Sequence, residues 1–80
     1  MPTVYREGGF EFFFWSNERE EPAHVHAESE RGFAKFWLNP PRLAASRGLR
    51  PRDLNAALRI VRENEQKILE AWNEHFTGKP

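Results

Sequence analysis

Eighty residues with 7 Phe, 3 Trp and 1 Tyr, a formal net charge of +0 and no cysteine describe one small domain whose core must come from aromatic rings, because so short a chain buries a smaller share of its surface than a long one. The missing cysteines exclude a disulfide scaffold, a cysteine-ligated zinc or iron–sulfur site and a thiol nucleophile; with no apolar run of signal-peptide or membrane-spanning length, the expectation is a cytoplasmic protein. The neutral total conceals a separation, since residues 7–30 hold seven Glu against Arg19 and residues 42–62 hold six Arg against Asp53: either the two neutralise each other across the fold, or the arginines form a surface for phosphates or an acidic partner.

Thr3 to Arg6 reads as a short strand, Gly8-Gly9 as a tight turn and Phe10 to Ser16 as a strong strand. Asn17 to Pro22 is charged and ends in proline, as an exposed hairpin loop does. Ala23 to Ser29 and Gly32 to Leu38 are two further strands about a turn at Glu30-Arg31-Gly32. Asn39-Pro40-Pro41 stops the ladder there, because proline has no amide hydrogen to donate and restricts the residue before it. Leu43 to Ser46 is either a short edge strand or an irregular connector, and Gly48 marks a turn. Pro51 suits the first helical position, Asp53 sets a carboxylate at the positive end of the helix dipole, and Arg50 is a poor N-cap. Leu54, Leu58, Val61, Ile68, Leu69, Trp72 and Phe76 then recur at helical spacing with Ala57 beside them, predicting one long amphipathic helix over about 51–76 that Thr77-Gly78 ends. Glu65 falls inside this stripe, so either the helix overhangs the sheet there or Glu65 meets a cation. The expected fold is a single α+β domain over residues 1–80: an antiparallel sheet of about four strands within residues 3–38, a connector over 39–50, and one C-terminal helix on one face.

Alternation along the strands assigns the two faces. Phe10, Phe12, Phe14, Val25, Ala27, Ala34, Phe36 and Leu38 lie on the face the helix covers. Phe13, Trp15, His24, His26, Glu28, Phe33, Lys35 and Trp37 lie on the other. One helix cannot cover both, and four aromatic side chains are more than a soluble monomer leaves bare. This second face calls for a curl of the sheet, a fold-back of 43–46, a homodimer or other protein partner, or unpaired bases stacked on the rings.

His24-Val25-His26-Ala27-Glu28 sets two imidazoles and a carboxylate at alternate positions of one strand. The set reads in three ways: as the polar rim of an interface, as ligands of a divalent metal (His24, His26, Glu28), or as a metal-free acid–base pair for phosphodiester cleavage with Lys35 stabilising the developing anion. The rim is the plainest of the three, since His-x-His is a common pattern and His75 is the only other histidine. No cofactor is called for: Gly8-Gly9 lacks a following Lys-Ser/Thr and helix, and Ser16, Ser29 and Ser46 lack a strand-to-helix elbow. Arg47, Arg50, Arg52 and Arg59 form the candidate basic surface.

Taken together, MPTVYREGG, FFFWSNE, EPAHVHAE, AKFWLNP, SRGL and ILEAWNEHF resemble, in order and spacing over nearly the whole chain, the short bacterial proteins catalogued as domain of unknown function 4160. That family commonly has proline where Ala23 stands and often serine where Arg50 stands. The resemblance implies a protein encoded beside another small protein, in a pair that looks like a toxin–antitoxin module, and implies no catalytic residue. The expected function is therefore protein–protein contact in a toxin–antitoxin-like or regulatory pair, with a homo-oligomer or a small partner encoded nearby. Phe13, Trp15, Phe33 and Trp37 would form the contact patch, His24, His26, Glu28 and Lys35 its polar specificity, and the arginines would answer an acidic partner or nucleic acid. The alternative is a small hydrolase, above all a ribonuclease, using His24 and His26 with or without a metal.

Overall fold

The computed structural model describes residues 3–14 and 21–77. Strands β1 (Thr3–Glu7), β2 (Phe10–Phe13), β3 (His24–Glu28), β4 (Phe33–Trp37) and β5 (Arg42–Arg47) form one antiparallel sheet in chain order, followed by α1 (Pro51–Glu63) and α2 (Glu65–Thr77). Gly8 and Gly9 turn the first hairpin with φ 63 and 82, the backbone twist that a two-residue turn needs to close Glu7 onto Phe10. Trp15, Ser16 and the charged loop after them lie outside the described residues up to Glu20.

The sheet has five strands where about four are expected. Asn39 takes φ 62, a conformation asparagine tolerates, and after Pro40 and Pro41 the chain returns along β4 as β5, which makes residues 43–46 the edge strand of the two alternatives and not the connector. Arg42-Leu43-Ala44-Ala45-Ser46-Arg47 has one large apolar residue and little strand propensity, so alternation carries almost no signal there. Its pairing with β4 contains a bulge: Lys35 faces Ala45 and Phe36 faces Leu43, which leaves Ala44 unopposed.

The single long helix is divided at Asn64, whose φ of −120 and ψ of 18 interrupt the helical turn. The Asn64 side chain donates through Nδ2 to the Ile60 carbonyl at 2.8 Å, while its backbone N–H is shared between Ile60 and Val61. Ile68 N–H still reaches the Asn64 carbonyl at 2.9 Å. The hydrogen-bond ladder is thus bridged across the break, and Glu65, which spacing at about 100° per residue sets in the apolar stripe, is half-buried at the start of α2. Ile60, 3% exposed and outside the predicted stripe, joins the core one turn after Ala57 on the same side of α1. Tyr5 packs on Phe12 with the Lys67 ammonium over its ring, and its hydroxyl donates to Glu7, which holds the phenol's pKa above its usual value.

All eight residues assigned to the helix-covered face are buried, together with Ala57, Ile60, Val61, Ile68 and Trp72. Leu54, Leu58, Leu69 and Phe76 pack against them half-buried. Asp53 supplies the cap that Arg50 cannot. Its Oδ2 accepts the Arg50 N–H at 3.1 Å and its Oδ1 accepts Arg31 Nη1 at 3.1 Å, tying the helix start to the β3–β4 turn. The Asp53 side chain is 14% exposed against 63% for Arg31, so the capping bond contributes more than the solvated ion pair. Asp53→Ala is expected to lower stability by about 1–2 kcal/mol, read as a lower urea midpoint at unchanged m.

Candidate functional site

Register turns the second sheet face into three cross-strand rows. The first runs Arg6, Glu11, Glu28, Phe33, Arg47; the second Phe13, His26, Lys35, Ala45; the third His24, Trp37, Arg42. Phe33, Lys35, Trp37 and Glu28 thus share one surface, as the alternation predicts. The five-residue spacing of Arg42 and Arg47 would by parity place them on opposite faces, and the bulge at Ala44 brings both to this one. Arg42 is therefore a surface residue that the basic set Arg47, Arg50, Arg52 and Arg59 omits, and no sequence pattern announces the bulge.

Part of this face is covered within the chain itself. Phe13 is 4% exposed, His26 8% and His24 0%, so some of the cover this face calls for comes from within the domain. The covering agent beside His24 is Trp72. α2 carries its indole to the start of β3, where the ring lies 5.4 Å edge-on from Phe14 and 5.0 Å from His24, so one side chain meets residues of both faces. His24 Nδ1–H donates to the Pro22 carbonyl at 2.8 Å, and its ring stands edge-on to Trp37 and to His26. His26 stacks on Phe13 at 5.5 Å. Trp15, the remaining member of the expected patch, lies outside the described residues.

Glu21, assigned by sequence to a solvated loop, links the face together. Its Oε1 accepts Lys35 Nζ at 2.7 Å and lies 3.8 Å from His24 Nδ1, while Lys35 also sits 4.7 Å above the Trp37 ring. Lys35 is thus committed to a carboxylate and an indole, not poised over an open substrate position. The carboxylate of Glu28 is four strand positions from His24, a separation of about 13 Å that a single ion cannot span. Among the described residues no group of three histidine, aspartate or glutamate side chains is placed to hold a metal.

The arginines stay outside this network. Arg42, Arg47, Arg50, Arg52, Arg59 and Arg62 are exposed. The ion pairs among the described residues join Arg6 to Glu11, Arg31 to Asp53, and Glu21 to Lys35 and His24. None of these joins a glutamate of 7–30 to an arginine of 42–62. A shallow depression of about 650 Å³ lies at the hairpin end among Arg6, Glu7, Glu11, Glu28 and Glu30. A second, of about 450 Å³, runs between Leu38-Asn39 and Leu69, Trp72 and Asn73 of α2. Neither is lined by His24 or His26.

Sheet, helices and surface define a small α+β domain with both helices on one face of a single antiparallel sheet and a partly exposed aromatic and cationic strip on the other. Among the described residues no helix is long and apolar enough to cross a membrane. Residues 9–73 match the family described as a domain of unknown function (DUF4160), and the chain belongs to that family. No curated protein and no solved structure matches it.

Proposed function

We propose that the protein acts by protein–protein contact, as one member of a bacterial toxin–antitoxin-like or regulatory pair in the cytoplasm, through the exposed part of its second sheet face. The observation that carries this reading is the strip along β4 and β5. Phe33 is 42% exposed, Trp37 is half-buried, and exposed Arg47 and Arg42 stand directly across from them. Aromatic side chains and arginine are the residue types that concentrate binding energy in protein interfaces. A cysteine-free chain is in keeping with a reducing compartment.

The hydrolase alternative draws less support from the same geometry. A general acid or base must reach the proton it moves, whereas His24 has no exposed surface and its Nδ1–H is engaged by Pro22. The test is co-expression of the untagged protein with the small protein encoded beside it, followed by sedimentation at micromolar concentration. A complex is expected, and Trp37→Ser is expected to weaken it by roughly tenfold or more while the domain stays folded. RNA cleavage by the purified wild type that is lost specifically in His26→Ala would replace this reading with the hydrolase.

A further inference from the structure

Among the described residues strand β5 ends the sheet: β4 pairs with one side of it, and the peptide groups on its other side point outward. Five of its six residues are exposed. Such an edge offers unmade hydrogen bonds to another extended chain. Its side chains restrict which chain that is. The bulge at Ala44 sets Arg42 and Arg47 on one face, across from Trp37 and Phe33, at positions about 13 Å apart along the neighbouring strand. Neither arginine has a carboxylate in ion-pair range among the described residues. Between them stands small Ala45, and on the helix side of the same edge Leu43 is 43% exposed.

A second copy is a poor occupant. Two β5 strands related by a two-fold axis would run antiparallel and set Arg42 of each against Arg47 of the other, and like charges directly opposed destabilise a strand pair. A phosphate chain would meet the arginines but leave the outward peptide groups and Leu43 without a counterpart. A strand with carboxylates at both ends of one face and aliphatic side chains on the other answers all of these features together.

We propose that β5 is a docking edge for an extended acidic segment of a partner protein, which adds to the sheet as a sixth strand with carboxylates across from Arg42 and Arg47 and an aliphatic side chain over Leu43. This rests on the partner-binding reading above and specifies where and what that partner presents.

The experiment uses the full chain and a fluorescein-labelled peptide of sequence TEVTVEVT, with binding followed by anisotropy at low ionic strength. Saturable binding is expected. The Arg42→Glu/Arg47→Glu double variant, shown folded by circular dichroism, is expected to lose roughly tenfold or more in affinity and to gain binding to TKVTVKVT. N-methylation of alternate peptide residues is expected to abolish binding in one phase and spare it in the other, because only alternate amides face the edge. No binding, equal tolerance of both methylation phases, or displacement of the peptide by a single-stranded RNA that binds more tightly through the same arginines would each overturn the proposal. Association with the encoded neighbour, assayed in parallel with Trp37→Ser, separates the two ideas: if that complex forms and the peptide fails, only the docking edge is lost, whereas failure of the complex removes the broader reading.

Discussion

Gly32→Ala is expected to destabilise the domain by at least about 3 kcal/mol, a large share of the margin that holds a domain of this size folded. A Cβ on Gly32 would lie 2.0 Å from the Arg47 carbonyl oxygen and 2.9 Å from the Gly48 Cα. Those obstacles are backbone atoms, so no side-chain rotation relieves them. Gly48 completes the contact from the other strand, with φ +83 and a would-be Cβ 2.4 Å from the Arg31 carbonyl oxygen. Two turns therefore interlock where β4 begins and β5 ends, and relief requires the pair Phe33–Arg47 to open. Chemical denaturation measures the loss, and hydrogen exchange should show β5 protected less than β3 in the variant. A cost below about 1 kcal/mol would mean that the two strands do not approach this closely.

Trp72→Ala is expected to cost about 3–5 kcal/mol, the range for deleting a buried aromatic side chain. The indole is 8% exposed and touches Phe14, His24 and Phe76, the last at 4.1 Å between centroids. Leu58 belongs to the same predicted stripe yet is only half-buried, so Leu58→Ala should cost less, about 1–2 kcal/mol. Denaturation of the two variants side by side checks the order, and a reversal would mean that α2 does not lie against the start of β3. Trp72→Ala should also uncover His24, and faster modification of that imidazole by diethylpyrocarbonate would report it.

Part of the candidate site is legible in the order of residues along the strands. Alternation names Glu28, Phe33, Lys35 and Trp37 as neighbours on one face, and the register places them so. The same alternation cannot tell that His24 is buried, because its cover does not come from its own strand. Trp72 lies 48 positions after His24 in the chain and reaches it only because α2 passes the end of the sheet. Glu21 likewise carries no local sign that it will bridge Lys35 and His24.

Features that depend on local periodicity, or on residues with one permitted use, can be read from the chain one position at a time. Those are the α+β class, the eight-residue core face, the first four strands, the Gly8-Gly9 turn, the helix start at Pro51 and the family. Other features exist only once distant segments meet. β5 forms because β4 offers an edge, not because Arg42–Arg47 prefers to be a strand; the bulge at Ala44 is a feature of a pair and cannot be written in either strand alone. The break at Asn64 depends on a side-chain amide competing for the Ile60 carbonyl, and no proline or glycine announces it. Local propensity sets which segments are regular, but the register between segments, and hence which side chains meet on a surface, follows from long-range packing that a one-dimensional pattern does not encode.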